Sequence, residues 1–156
     1  MKYTIYCDLD GVLVDFNKGY YELTGTDTTN YIKGDNAFWT PIDNAGPEFW
    51  ANLDWMSDGK RLWHYIRKYN PYILSSPSRS ATSKVGKAAW CSINLFNQYK
   101  KLLLYPRHEK QTFSAHNHIL IDDLENTINE WNKKGGIGIL HISAENTINE
   151  LRKLGI

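Results

Sequence analysis

Five short apolar runs, alternating with segments of helix length, constrain this chain more than any other feature. The runs are Tyr3 to Leu9, Tyr72 to Ser75, Leu102 to Tyr105, His118 to Asp122 and Ile137 to Ile142. Each is continuous in its apolar character rather than alternating, as expected of strands buried on both faces. Between them lie helical patterns at about Phe16 to Leu23, from Ser57 as cap to Tyr69, Ser83 to Phe96 and Glu125 to Lys134. Ser143 caps a last helix reaching Leu154. Strand and helix in alternation predict an α/β, Rossmann-like fold: a parallel sheet of about five strands with helices on both faces. In such sheets ligands bind at the carboxyl ends of the strands.

One stretch breaks the alternation. Residues Thr24 to Asp58 carry Gly25, Gly34, Pro41, Gly46 and Pro47 among polar residues and large aromatics. They predict an irregular insertion with short helices. The chain thus reads as one domain over 1–156, with a core of about 1–15 and 58–156 and a small helical cap of about 16–57. A six-residue repeat, Glu125 to Glu130 and again Glu145 to Glu150, opens the last two helices. One short match does not make a solenoid.

Composition removes several classes. With 156 residues, 42% hydrophobic and 22% charged, the chain can bury a real core. Its formal net charge of +1 argues against a basic surface for polymeric nucleic acid. No apolar stretch is long enough to span a membrane. The polar start, Met1 to Asp8, does not resemble a secretory signal. Two cysteines, Cys7 and Cys91, are no disulfide framework, so a cytoplasmic, reduced setting is expected. The histidines His108, His116 and His118 lack the spacing of a zinc site with cysteine.

The chemistry concentrates at strand ends. Asp8 and Asp10 close the first strand, Ser75 and Ser76 the second, Asp122 and Asp123 the fourth. Residues two apart on a strand face the same way, so Asp8 and Asp10 are neighbours. Carboxylates that close need a cation or a shared proton. All-oxygen ligation of this kind suits Mg²⁺.

The run Asp8-Leu9-Asp10-Gly11-Val12-Leu13 resembles the first motif of the haloacid-dehalogenase (HAD) superfamily. Ile73-Leu74-Ser75, Lys110 and Ile119-Leu120-Ile121-Asp122-Asp123 resemble the later motifs, in order. A looser resemblance is to the 5′(3′)-deoxyribonucleotidase branch. It rests on Val14-Asp15-Phe16, Phe38-Trp39, Ser75-Ser76-Pro77, Lys87-Ala88-Ala89-Trp90 and Arg107 to Lys110.

The resemblance implies a mechanism. Asp8 would attack phosphorus and form an aspartyl-phosphate, while Asp10 would protonate the leaving oxygen and then activate water. Mg²⁺ would be held by Asp8, the backbone carbonyl of Asp10 and Asp122. Asp123 would ligate through water or orient the lysine. Ser75, Ser76, Lys110 and Lys87 would contact phosphate. Lys84, Lys87, Lys100 and Lys101 remain alternatives for the lysine. Arg79 lies close enough in sequence to Ser75 to be a further phosphate contact.

The aromatic cap residues Phe16, Phe38 and Trp39 are candidates for stacking on a base, whereas Trp50 and Trp55 read as packing. The expected activity is Mg²⁺-dependent hydrolysis of nucleoside monophosphates, deoxyribonucleotides first. Alternatives are another small phosphomonoester, a polynucleotide 3′-phosphate end, or phosphate binding without catalysis. Exposed aromatics could equally serve a homodimer.

Overall fold

The computed structural model describes residues 2–96 and 98–156. Five strands form one parallel sheet: β1 (Thr4–Cys7), β2 (Tyr72–Ser75), β3 (Leu102–Leu104), β4 (His118–Asp122) and β5 (Ile137–Leu140). Their spatial order is β3-β2-β1-β4-β5. The chain runs outward from β1 to β3, then crosses to β4 on the other side. The order therefore reverses beside β1, the crevice where open α/β sheets hold ligands.

Among the described residues seven α-helices accompany the strands: α1 (Phe16–Thr24), α2 (Asn36–Ala45), α3 (Pro47–Ala51), α4 (Gly59–Ile66), α5 (Ala81–Asn94), α6 (Glu125–Lys133) and α7 (Ala144–Lys153). No described helix is long and apolar enough to cross a membrane.

The strands sort their side chains by alternation. Ile5, Cys7, Ile73, Ile119, Ile121 and Ile139 face one side with Leu62 and Ile66 of α4, Trp90 of α5 and Leu151 of α7. Tyr6, Leu74 and Leu120 face the other, with Ile128 and Trp131 of α6. Both faces are covered, which explains why the runs are apolar throughout.

The insertion carries α1, α2 and α3. Phe38, Ile42 and Trp50 belong to the same buried cluster as the first sheet face, so the segment shares the main core. Asp15 caps α1, accepting from Lys18 N at 3.0 Å, and Asp35 caps α2 by accepting from Ala37 N at 2.8 Å. Pro47 occupies the first turn of α3, where its missing N–H costs nothing.

Some expected boundaries move. The fourth helix starts at Gly59 after Asp58, not after Ser57. The carboxylate of Asp58 instead accepts from Ala144 N at 2.7 Å, tying α4 to α7. Residues Arg67–Tyr69 form a 3₁₀ turn, ended by Asn70 in a left-handed conformation. α5 begins two residues before Ser83, capped by Ser80, which accepts from Thr82 N. β5 ends at Leu140, and Ile142 is exposed.

Candidate active site

β1 ends in a tight turn. The Leu9 carbonyl accepts from Val12, Leu13 and Val14 N at 3.0, 2.9 and 3.0 Å. Gly11 sits at φ +81°, and a Cβ there would lie 2.1 Å from Asp123 Oδ2. The positive φ favours glycine, and the space a Cβ would take is filled by the Asp123 carboxylate. The turn lets the backbone of the first loop come up against the carboxylate that follows β4. It also leaves Asp8 buried and Asp10 partly exposed at the carboxyl end of the central strand.

Register completes the arrangement. Cys7 pairs with Ile121, and Asp8 N donates to Ile121 O at 3.0 Å. Asp8 and Asp122 therefore emerge side by side from adjacent central strands. Lys110, on the 3₁₀ segment Arg107–Phe113, reaches between them with only 2% of its surface exposed. Its Nζ is 3.2 Å from Asp8 Oδ1 and 2.8 Å from Asp122 Oδ2. The other Asp122 oxygen, Oδ1, accepts from Leu124 N at 2.9 Å.

Asp123 adds a third carboxylate. One oxygen from each of Asp8, Asp122 and Asp123 lies within 4.8 Å of the others. Three acids face one ammonium, and the imbalance shows in their protonation. Burial, then the Asp8 charge, push Asp122 up to about 6 despite the Lys110 contact. Burial and the charges of Asp8 and Asp122 push Asp123 up to about 7. Lys110 is pulled down by burial, but its two carboxylates outweigh that and raise it. A compact, anionic, all-oxygen donor set of this kind fits a hard divalent cation.

A second ion pair lies beside the first. Lys87 of α5, 3% exposed, donates to Asp10 Oδ2 at 2.6 Å and to Ser75 Oγ at 3.0 Å. Its ammonium also stands over the Trp50 ring, 4.9 Å from the centroid. Asp10 thus belongs to the Lys87 pair, while its side chain is absent from the acidic group around Lys110.

These residues edge a cavity of about 450 Å³. Asp8, Asp10, Lys110 and Asp123 line its base, with Ser76 and Arg79 from the loop after β2. Phe16, Trp39, Trp50 and Met56 line it from the insertion.

The expected site residues divide accordingly. Asp8, Asp10, Ser76, Lys110, Phe16 and Trp39 meet at the cavity. Asp122 lies beneath it, fully buried. Ser75 and Lys87 are also beneath, bonded to each other rather than lining it. Phe38 does not reach the cavity; it stacks on Tyr20 with centroids 4.4 Å apart, inside the core.

Trp50, expected only to pack, does both: it is 3% exposed and lines the cavity. Asn17, Met56 and Arg107 also line the cavity. Of these only Arg107 has a signal in the sequence, as the first residue of the Arg107-to-Lys110 stretch that carries the looser resemblance. Arg79 lines the cavity while binding α2: its guanidinium donates to Asn36 Oδ1, and to Asp43 Oδ2 at 3.1 Å.

The cysteines are away from this chemistry in kind. Cys7 is buried and held well above the ordinary thiol range, first by burial and then by the Asp8 charge. Burial pushes Cys91 up to about 12.

Solved structures share this fold. A HAD-superfamily hydrolase from Ehrlichia chaffeensis aligns over 100% of both chains with a TM-score of 0.58 at 10% identity. A hydrolase from Streptococcus pneumoniae aligns over 100% of both, with a TM-score of 0.53 at 15% identity. A protein described as a predicted phosphatase from Clostridium acetobutylicum aligns over 96% of this chain and 90% of its own, with a TM-score of 0.55 at 13% identity. No protein-family model matches the chain, and no curated protein sequence does.

Proposed function

We propose that the protein is a HAD-type phosphomonoesterase that works through an aspartyl-phosphate on Asp8. One observation carries this reading. Asp8, with Lys110 Nζ 3.2 Å away and Asp122 and Asp123 alongside, lines a cavity at the point where the strand order reverses. A carboxylate in that position can act as nucleophile.

The chain's own groups supply the rest. Lys110 lowers the charge that an incoming phosphate would meet at Asp8. Ser76 brings a hydroxyl that is buried and has no partner among the described residues, so a phosphoryl oxygen would satisfy it. Asp10 is the general acid and base, and Lys87 fixes its carboxylate from behind, acting as a positioning residue. Ser75 serves the same anchor. Such positioning and charge stabilisation make up most of phosphoryl-transfer catalysis. Asp8, Asp122 and Asp123 would hold Mg²⁺, which when bound offsets the repulsion between carboxylate and phosphate.

The substrate we propose is a nucleoside monophosphate, deoxyribonucleotides first. Phe16 and Trp39 support it by presenting aromatic surface to the cavity, which Trp50 lines while almost wholly buried. Base–aromatic stacking is worth about 1–3 kcal/mol per base in proteins that bind single strands. The test is phosphate release with Mg²⁺ across ribo- and deoxyribonucleoside 5′- and 3′-monophosphates, sugar phosphates and a 3′-phosphorylated oligonucleotide. Asp8→Asn is the blank, expected to lose at least about 10³-fold in rate. Selectivity for deoxynucleotides supports the reading. Asp8-dependent hydrolysis of sugar phosphates alone would keep the chemistry and overturn the nucleotide. Equal rates for wild type and Asp8→Asn would overturn both.

A further inference from the structure

The two copies of the six-residue repeat differ in one atom's surroundings. In α7, Thr147 is fully buried and its Oγ1 lies 2.8 Å from His141 Nδ1. The matching residue of α6, Thr127, is 5% exposed, and its Oγ1 is buried with no partner among the described residues. Buried hydroxyls are normally satisfied. Thr127 lines a second cavity of about 570 Å³, which shares Ser76, Pro77 and Arg107 with the first.

Other features of this second cavity point the same way. α7 is capped by Ser143, which accepts from Asn146 N at 3.1 Å, whereas α6 opens with no side-chain cap. Asn126 and Thr127 of that uncapped first turn both line the cavity. A helix N-terminus directs N–H groups and positive potential at whatever lies before it. Arg107 has no ion-pair partner among the described residues and stands between the two cavities. The acidic wall residue, Glu130, is paired with Lys133 at 2.8 Å.

We propose that this second cavity is an anion subsite, and that the substrate is a phosphomonoester carrying a second anionic group. The proposal rests on the phosphomonoesterase reading above and deepens it. One phosphate occupies the Asp8 cavity. The second group passes Arg107 and accepts from the Thr127 hydroxyl and the first turn of α6. Thr147 needs no such ligand because His141 already satisfies it.

The test uses matched probes: adenosine 5′-monophosphate against adenosine 3′,5′-bisphosphate, and fructose 6-phosphate against fructose 1,6-bisphosphate. KM and kcat are measured by phosphate release, and binding to Asp8→Asn is measured by calorimetry. In at least one pair the wild type should favour the bisphosphate about tenfold. Thr127→Val, and Asn126→Asp as a surface variant that cannot fail by unfolding the core, should each cut that preference several-fold. KM for the monophosphate should stay within about twofold.

Thr127→Val should leave the melting temperature unchanged or higher, whereas Thr147→Val lowers it. No preference in either pair, or a preference that survives both variants, overturns the subsite. Hydrolysis without discrimination leaves the phosphatase standing and removes the subsite. Bisphosphate binding that depends on Thr127, with no hydrolysis of any probe, does the reverse.

Discussion

Lys110 has two roles. Its ammonium bridges Asp8 and Asp122 while almost wholly buried, so removing it strands two carboxylates without their counter-charge. Breaking a buried pair from one side costs about 3–5 kcal/mol. Lys110→Met should lose that much stability in urea unfolding as well as all measurable phosphate release. Lys87→Met should cost less, because its partner Asp10 is one-third exposed and can be reached by water (side-chain exposure 32%); the loss should appear mainly in kcat.

At this scale the sequence was informative where chemistry sits on a strand end. Asp8, Asp10 and Asp122 fall where the apolar runs stop, and their register follows. It was uninformative between neighbours. Ser75 is the last strand residue and turns inward to Lys87, whereas Ser76 is one step further and faces the cavity. Phe38 and Trp39 sit about 100° apart on a helix, so only one of them reaches the cavity. Nothing in their identities says which.

At the scale of elements, α3 lying on α5 fixes the cavity's far wall. Gly86 marks the crossing: a Cβ there would meet Pro47 O at 2.4 Å and Trp50 Cβ at 2.4 Å. Gly86→Ala gains about 1 kcal/mol of helix propensity but forces the helices apart, an overpacking that costs about 1–3 kcal/mol. We expect a net loss of stability and a raised KM, because Trp50 moves off Lys87.

The link between the β2–α5 loop and α2 is different in kind. The Arg79–Asp43 pair is half exposed, and such pairs contribute under about 1 kcal/mol. Arg79→Gln should hardly shift the urea midpoint, yet raise KM several-fold by freeing α2.

The existence and order of the strands and helices were legible, since each follows from apolar runs and stop signals. The short helices of the insertion were legible only as a class. Their packing against α5 depends on Gly86, a residue with no local signal.

For the whole molecule, the carboxylate excess makes stability depend on pH. Asp122 and Asp123 rise from 3.8 to about 6 and about 7. Below about pH 4 both folded and unfolded chains hold these protons, and the contribution to stability is full. Between those values the unfolded chain has released protons that the folded chain still binds. Stability therefore falls as pH rises through about 6 to 7. His141 works in the opposite sense. Burial lowers it, so its contribution is lost as pH falls.

In EDTA, the melting temperature of Asp123→Asn should decline less than that of wild type between pH 5 and 7.5. Added Mg²⁺ should raise the wild-type melting temperature more at pH 7.5 than at pH 5, since a cation bound only by the folded state stabilises it by mass action. An equal Mg²⁺ effect at both values would argue against a cation at these carboxylates.

The strand order also has a temporal meaning. β1 is early in the chain but central in the sheet, and Tyr6 pairs with Tyr72 on one side and Leu120 on the other. On a ribosome, β1 emerges with neither neighbour made, both edges bare, and waits for most of the polypeptide to follow. Such distant pairings form slowly and leave strand edges open to other chains meanwhile. Asp8 and Lys110 meet Asp122 only once β4 has joined β1, so the acidic group at the cavity depends on the pairing most distant in sequence.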